Sequence, residues 1–273
     1  MDFNRKYISY SHSSAQNCIY AMFINDGGQF SLESSGAFKD GAIYMGSDNT
    51  PDYDTSGYII ENRNGGLLNV VNDIQIVIMD STTSSTQAIH NTNGLVIMNK
   101  NSRISVHGSF GYGIYNDVNG RLIVNSVFSI GGADAGIINY GVVEAIKGGM
   151  ISSVRNYGLI KEISGGEFRG DIAIENIGKN AVIGRITGGI FGSNVEENTV
   201  ADSATALLLK DGSTIGAITG GTYYGTETIV CDESSTITQG IYGGKFRTQV
   251  PARLLAKGKT CTYNESIKMF VVE

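Results

Sequence analysis

Apolar and polar positions in the second half of the chain form short alternating runs: Val143-Glu144-Ala145-Ile146, Ile160-Lys161-Glu162-Ile163, Ile183-Gly184-Arg185-Ile186 and Ile215-Gly216-Ala217-Ile218. Alternation mixed with i, i+3 steps suits either a strand or a helical turn. The punctuation decides between them. Asn-X-Gly or Asp-Gly precedes nearly every run, and Ile, Val and Thr are abundant, so no stretch is left for a stable helix. The pattern predicts short strands joined by tight turns.

These runs recur in a fixed phrase. IKGGM at 146–150, ISGGEF at 163–168, ITGGIF at 186–191, ITGGTY at 218–223 and IYGGKF at 241–246 repeat one another. Upstream of each phrase, and in earlier copies, an apolar pair leads to Asn or Asp: Asn91, Asn116, Asn139, Asn156, Asn176, Asp211 and Asp232, with an earlier copy ending at Asn62. Spacings of about 20 residues fit a solenoid, in which each unit buries its apolar face by stacking on its neighbours. The longer step from Asn176 to Asp211 fits one coil plus an insertion. The expected fold is all-β, a single-stranded parallel β-helix (β-solenoid) with a C-terminal β-hairpin cap.

Stacking gives the repeated residues structural roles. Coils about 4.8 Å apart place equivalent side chains in columns, and an Asn column passes amide hydrogen bonds from coil to coil. Asn also tolerates left-handed turns, and the Gly that follows accepts positive φ. This structural ladder is preferred over a carbohydrate-contacting or metal-binding one. By the same logic Phe168, Phe191, Tyr223 and Phe246 stack as a column, read as core filler in a chain without Trp.

Segmentation follows from where the repeat is clear. Residues 1–55 read as an N-terminal attachment or capping segment, 56–246 as solenoid repeats and 247–273 as a cap. In the cap, Pro251 to Gly258 reads as one helical turn. Thr260–Tyr263 and Ile267–Val272 flank Asn264-Glu265-Ser266 as a hairpin, which would cover an open sheet edge.

Composition narrows function. With 273 residues, a net charge of −6 and 17% charged residues, the chain carries no basic run suited to nucleic acid. Its start lacks the apolar core of a signal peptide, and no run reaches the length of a transmembrane helix. That pattern is expected of a chain that stays in the cytosol after synthesis. The cysteines Cys18, Cys231 and Cys261 form no CxxC pair, and His12, His90 and His107 have no metal-ligand spacing. No metal or cofactor is expected.

Polysaccharide-degrading β-helices place carboxylates on adjacent coils. Asp171 with Glu175, and Asp211 with Asp232 and Glu233, are the candidates here. The aspartates already have a turn explanation, so no catalytic residue is assigned and the chain is read as non-enzymatic.

The (I/V)xxI(S/T)GGxF phrase with its AI-x-N-x-G partner resembles the ISGG-type β-solenoid repeats of bacterial surface proteins and of phage fibres and spikes. The resemblance covers residues 86–273 and extends to the closing GGKF and hairpin. It implies display on an outer surface. With no export signal, the expectation is a virion fibre, spike or capsid-decorating appendage, made in the cytosol and displayed on the particle. Residues 1–55 would join it to other virion proteins. Phage spikes of this kind are often homotrimers, so a homotrimer is expected, with host-surface glycan as ligand and no membrane partner. A bacterial cell-surface adhesin is the alternative, and a polysaccharide-degrading β-helix comes third. Loops on one face of a solenoid commonly bind. The expected contacts are therefore the insertion at 192–204, with Asn194, Glu196 and Glu197, and the tyrosines Tyr223 and Tyr224.

Overall fold

Strands recur in threes along the chain, and corresponding strands of successive triplets pair in parallel, giving three sheets. The computed structural model describes residues 7–10, 20–33, 41–45, 57–71, 73–81, 86–192 and 205–273. The fold is a parallel β-solenoid that ends in an antiparallel hairpin. It divides into two compact units, Met1–Val142 and Val143–Glu273.

The first unit stacks aliphatic side chains in register. Ile60, Ile89, Ile114 and Ile137 align on the second sheet. Leu68, Val96 and Leu122 align on the third, and Ile76, Ile104 and Ile130 on the first. All are fully buried, and each contributes about 1.5–3 kcal/mol of burial. Parallel pairing reaches into the segment set apart as residues 1–55: Tyr7–Tyr10 pairs with Ala42–Met45, and Tyr20–Asp26 with Gly57–Arg63. This segment carries its own copy of the pattern, Ile24-Asn25 followed by Gly27-Gly28-Gln29-Phe30, which the reading of the repeat did not count.

The amide ladder occupies the inner face of the second sheet. Asn25 Nδ2 donates to Asn62 Oδ1 at 2.7 Å, Asn62 to Asn91 at 2.9 Å, Asn91 to Asn116 at 2.7 Å and Asn116 to Asn139 at 2.8 Å. The amides of Asn62, Asn91, Asn116 and Asn139 also reach a turn carbonyl, as in Asn116 Nδ2 to Gly120 O at 3.1 Å. The glycines at 66 and 120 are demanded by the closeness of the Asn side chain and not by positive φ. A Cβ on Gly120 would stand 2.4 Å from Asn116 Oδ1, and one on Gly66 would stand 2.6 Å from Asn62 Oδ1.

In the second unit the ladder is short. Asn156 donates to Asn176 at 2.7 Å, and Asn176 spends its N–H groups on the carbonyls of Ala181 and Thr214. The next residues in register are Leu209 and Cys231. Asp211 and Asp232 therefore do not continue the ladder, contrary to the sequence expectation. The strand Thr205–Lys210 runs past the ladder position, so Asp211 falls in the turn with φ +60°. There its N–H donates to Asp232 Oδ2 at 2.8 Å.

Rings hold this unit on the first sheet. Phe168, Phe191, Tyr223 and Phe246 stack at centroid spacings of 4.9, 4.8 and 4.6 Å, within 8° of parallel, and are fully buried. The Tyr223 hydroxyl donates to Gly220 O at 2.8 Å. Both glycines of the phrase have steric reasons. A Cβ on the first, as at Gly188, would lie 2.5 Å from the Ser164 carbonyl of the preceding coil. The second, as at Gly189, has φ +115°, and a Cβ there would meet the Phe191 ring at 2.9 Å.

Beyond Phe246 the chain turns back on itself. Pro251 leads into a 3-10 turn at Ala252–Leu254, and Leu255 bridges to Ile241 in parallel. The hairpin Cys261–Asn264 and Met269–Val272 follows, its second strand antiparallel to Gly244–Phe246. It pairs with what would otherwise be an open edge of the first sheet.

Candidate binding face

The residue before each ladder Asn points away from the core, because side chains alternate along a strand. On the second sheet of the first unit, register places Glu61, His90, Tyr115 and Ile138 in one such column. Tyr58, Gln87, Tyr112 and Ala135 stand in register beside it. The two columns form a patch of aromatic rings. His90 lies edge-on to Tyr58 at 4.4 Å and to Tyr115 at 5.2 Å, and Tyr115 lies 5.5 Å from Tyr140. Tyr140 is 38% exposed, and under this cover Ile138 is only 4% exposed.

Polar atoms within the patch are incompletely satisfied. Gln87 is 7% exposed, and its Oε1 has no hydrogen-bond partner among the described residues. Both ring nitrogens of His90 are buried in the same condition. A buried polar atom left unpaired costs about 1–3 kcal/mol, so the strand Gln87–Asn91 carries three such atoms on its outer side where an apolar residue would carry none.

The electrostatics follow from desolvation. Burial pushes the His90 pKa down, against the opposing pull of Asp117 and Glu61, so the ring stays neutral near pH 7. Burial also raises the Tyr115 pKa to about 12, helped by Tyr140, Asp117 and Tyr112. Tyr58 moves up for the same reason, with Glu61 adding to the effect. The face therefore offers protonated phenols, a neutral imidazole and carboxylates at Glu61 and Asp117. Arg63, beside Glu61 at 3.5 Å, is bound to Asp26 at 2.9 Å.

The residues expected to bind lie elsewhere. Tyr223 is a correction: it is fully buried in the ring column and presents nothing to solvent. Tyr224 is half-buried in the second unit. Asn194, Glu196 and Glu197 lie outside the described residues.

Two of the carboxylates weighed for catalysis, Glu175 and Asp232, are engaged by neighbours. Glu175 pairs with Arg155 at 3.1 Å. Asp232 accepts the N–H groups of Asp211, Ser234 and Ser235, and hydrogen bonds from the Asp211 backbone and from Ser235 and Ser234 draw its pKa down to about 2. A general acid needs a raised pKa, so Asp232 does not suit that role. Among the described residues no cluster of three His, Cys, Asp or Glu side chains is placed to hold a metal, and no helix is long and apolar enough to cross a membrane.

Sequence reasoning missed Tyr58, Gln87, His90, Tyr112, Tyr115 and Tyr140. The signal was the position before the ladder Asn in AIHN and GIYN, which strand alternation sends outward. Comparison with protein-family models, curated proteins and solved structures finds no match for this chain.

Proposed function

We propose that this protein is a non-enzymatic structural component of a virion, a fibre, spike or capsid-decorating appendage, whose tyrosine face engages host-surface glycan. One observation carries the binding half of this reading. The repeated Asn, Gly and ring positions are consumed by coil stacking, whereas the cluster around His90 has rings and unpaired polar atoms that stacking does not use. The virion half rests on the ISGG-type resemblance. Attachment through the N-terminal segment and assembly as a homotrimer belong to the same proposal.

Mass spectrometry of purified phage particles and of cell-wall fractions tests the reading. The intact chain in virions, at a copy number divisible by three, is the expected result. Its recovery from the wall fraction with additional upstream residues would replace the virion reading with that of an exported adhesin. Release of oligosaccharide from host polysaccharide by the purified chain would overturn the non-enzymatic assignment.

A further inference from the structure

Resting on the glycan-binding reading above, we propose that the tyrosine face takes a neutral or N-acetylated pyranoside and rejects acidic glycans. The chemistry of the face determines this class. Tyr58, Tyr115 and Tyr140 supply ring surface around His90, suited to the C–H face of a sugar ring, as binding sites pair apolar walls with a few placed polar groups. The unpaired polar atoms mix acceptors and donors. Gln87 Oε1 and one nitrogen of the neutral imidazole accept, while the other imidazole nitrogen and Arg63 Nε donate. Unpaired atoms of both kinds select a ligand that brings donors and acceptors together, which sugar hydroxyls and acetamido groups do.

Charge gives the second half of the selection. Glu61 and Asp117 both act on His90 through their charge, and Arg63 beside Glu61 is already bound to Asp26. A carboxylate- or phosphate-bearing sugar would meet like charge where the nearby guanidinium is already engaged by Asp26 and Glu61, and like-charge contacts suppress wrong partners. Gln87 is flanked in register by Tyr58 and Tyr112 and is 7% exposed. A ligand reaches its Oε1 by turning a flanking ring aside, a side-chain adjustment common on binding.

The chain has 14 tyrosines and no Trp, and Tyr58, Tyr112, Tyr115 and Tyr140 lie on this face, so the part of the intrinsic tyrosine emission that Y115A alters reports on it. Full-length protein is titrated with triacetylchitotriose and lactose as neutral probes, and with 3′-sialyllactose and trigalacturonate as acidic ones. At least one neutral probe should saturate, with the acidic probes about tenfold weaker or worse, equivalent to about 1.4 kcal/mol. Y115A should weaken the neutral interaction about tenfold, as loss of an aromatic anchor does. Q87L should weaken it severalfold with an unchanged melting temperature. Y224A, in the other unit, should bind as wild type does.

Acidic probes binding as tightly as neutral ones would overturn the proposal, as would equal losses for Y224A and Y115A, or saturation by none of the four probes. Light scattering supplies a separate check. An oligomer that Y115A dissociates would make this face a contact between copies of the chain, and the proposal would fall. The two readings fail separately. Neutral-sugar binding by a chain absent from virions sinks only the virion assignment. Virion binding to cells that neutral sugars do not compete sinks only the ligand class.

Discussion

In the first unit Asn62, Asn91, Asn116 and Asn139 hand amide hydrogen bonds from coil to coil. In the second, that position passes to Leu209 and Cys231, and the registering column becomes Phe168, Phe191, Tyr223 and Phe246 on another sheet. Both devices are periodic and buried, but their physics differs. An amide ladder fixes register by satisfaction, because an interrupted ladder leaves a donor and an acceptor stranded in a dry interior. A ring column fixes it by shape, and tolerates any flat ring of the right size. The outer surfaces differ in parallel. The column before the ladder holds His90 and Tyr115 in the first unit, but the Arg155–Glu175 ion pair followed by Leu208 and Val230 in the second.

The largest break in this contrast should come from Phe191→Ala, which removes a ring with neighbours on both sides. A loss of about 3–5 kcal/mol is expected, read by denaturant unfolding. A loss under about 1 kcal/mol would mean that the rings do not hold the unit. Next comes Asn116→Ala in the other unit, which removes both ladder bonds at that coil, from Asn91 Nδ2 and to Asn139 Oδ1. About 2–4 kcal/mol should be lost. Asn116→Leu should do no better, although leucine is the natural occupant at 209, because its neighbours remain amides.

A smaller effect separates shape from backbone strain. Gly189→Ala combines a left-handed φ with a clash against the Phe191 ring and should cost about 1–3 kcal/mol. Shrinking the ring by Phe191→Leu should make the two changes less than additive in a double-mutant cycle. Full additivity would place the whole cost in the backbone. Tyr223→Phe, by contrast, keeps the ring and loses one hydrogen bond to Gly220 O, for about 1 kcal/mol.

The smallest effect concerns pH and the outer face. His90 is held below its ordinary pKa by burial, so the folded state binds fewer protons than the unfolded chain between the two values. Its stabilising contribution is complete above the unfolded pKa of about 6.5 and is lost as pH falls towards the lower folded value. His90→Phe should flatten that part of the pH–stability profile, measured by thermal unfolding. An unaltered slope would show that His90 titrates without coupling to folding.

What could be read from the residues was what repeats. The Gly-Gly-aromatic phrase announced strands and corners, and Asn91 to Asn176 announced a ladder, because stacking demands the same residue at the same depth. Asp211 and Asp232 were misplaced because Thr205–Lys210 runs past the ladder position. A turn aspartate after an apolar pair then imitates a ladder residue. Tyr223 was assigned both to a stacking column and to a binding surface, and its ring-to-ring distances of 4.8 and 4.6 Å place it in the column. The tyrosine face escaped notice for the opposite reason. Glu61, His90, Tyr115 and Ile138 share a register position but no chemistry, so no periodicity pointed to them.

The amide ladder also has a direction. In every rung of the first unit the earlier coil donates and the later coil accepts, from Asn25 through Asn139. A chain emerging from the ribosome amino end first thus presents a waiting N–H at its finished tip, and the next stretch of polypeptide brings the oxygen that quenches it. Partners on the ladder are separated by 23 to 37 residues, so each closure needs only the next coil and none of the chain beyond it. The molecule can be laid down during translation one coil at a time, each completed layer serving as the template for its successor.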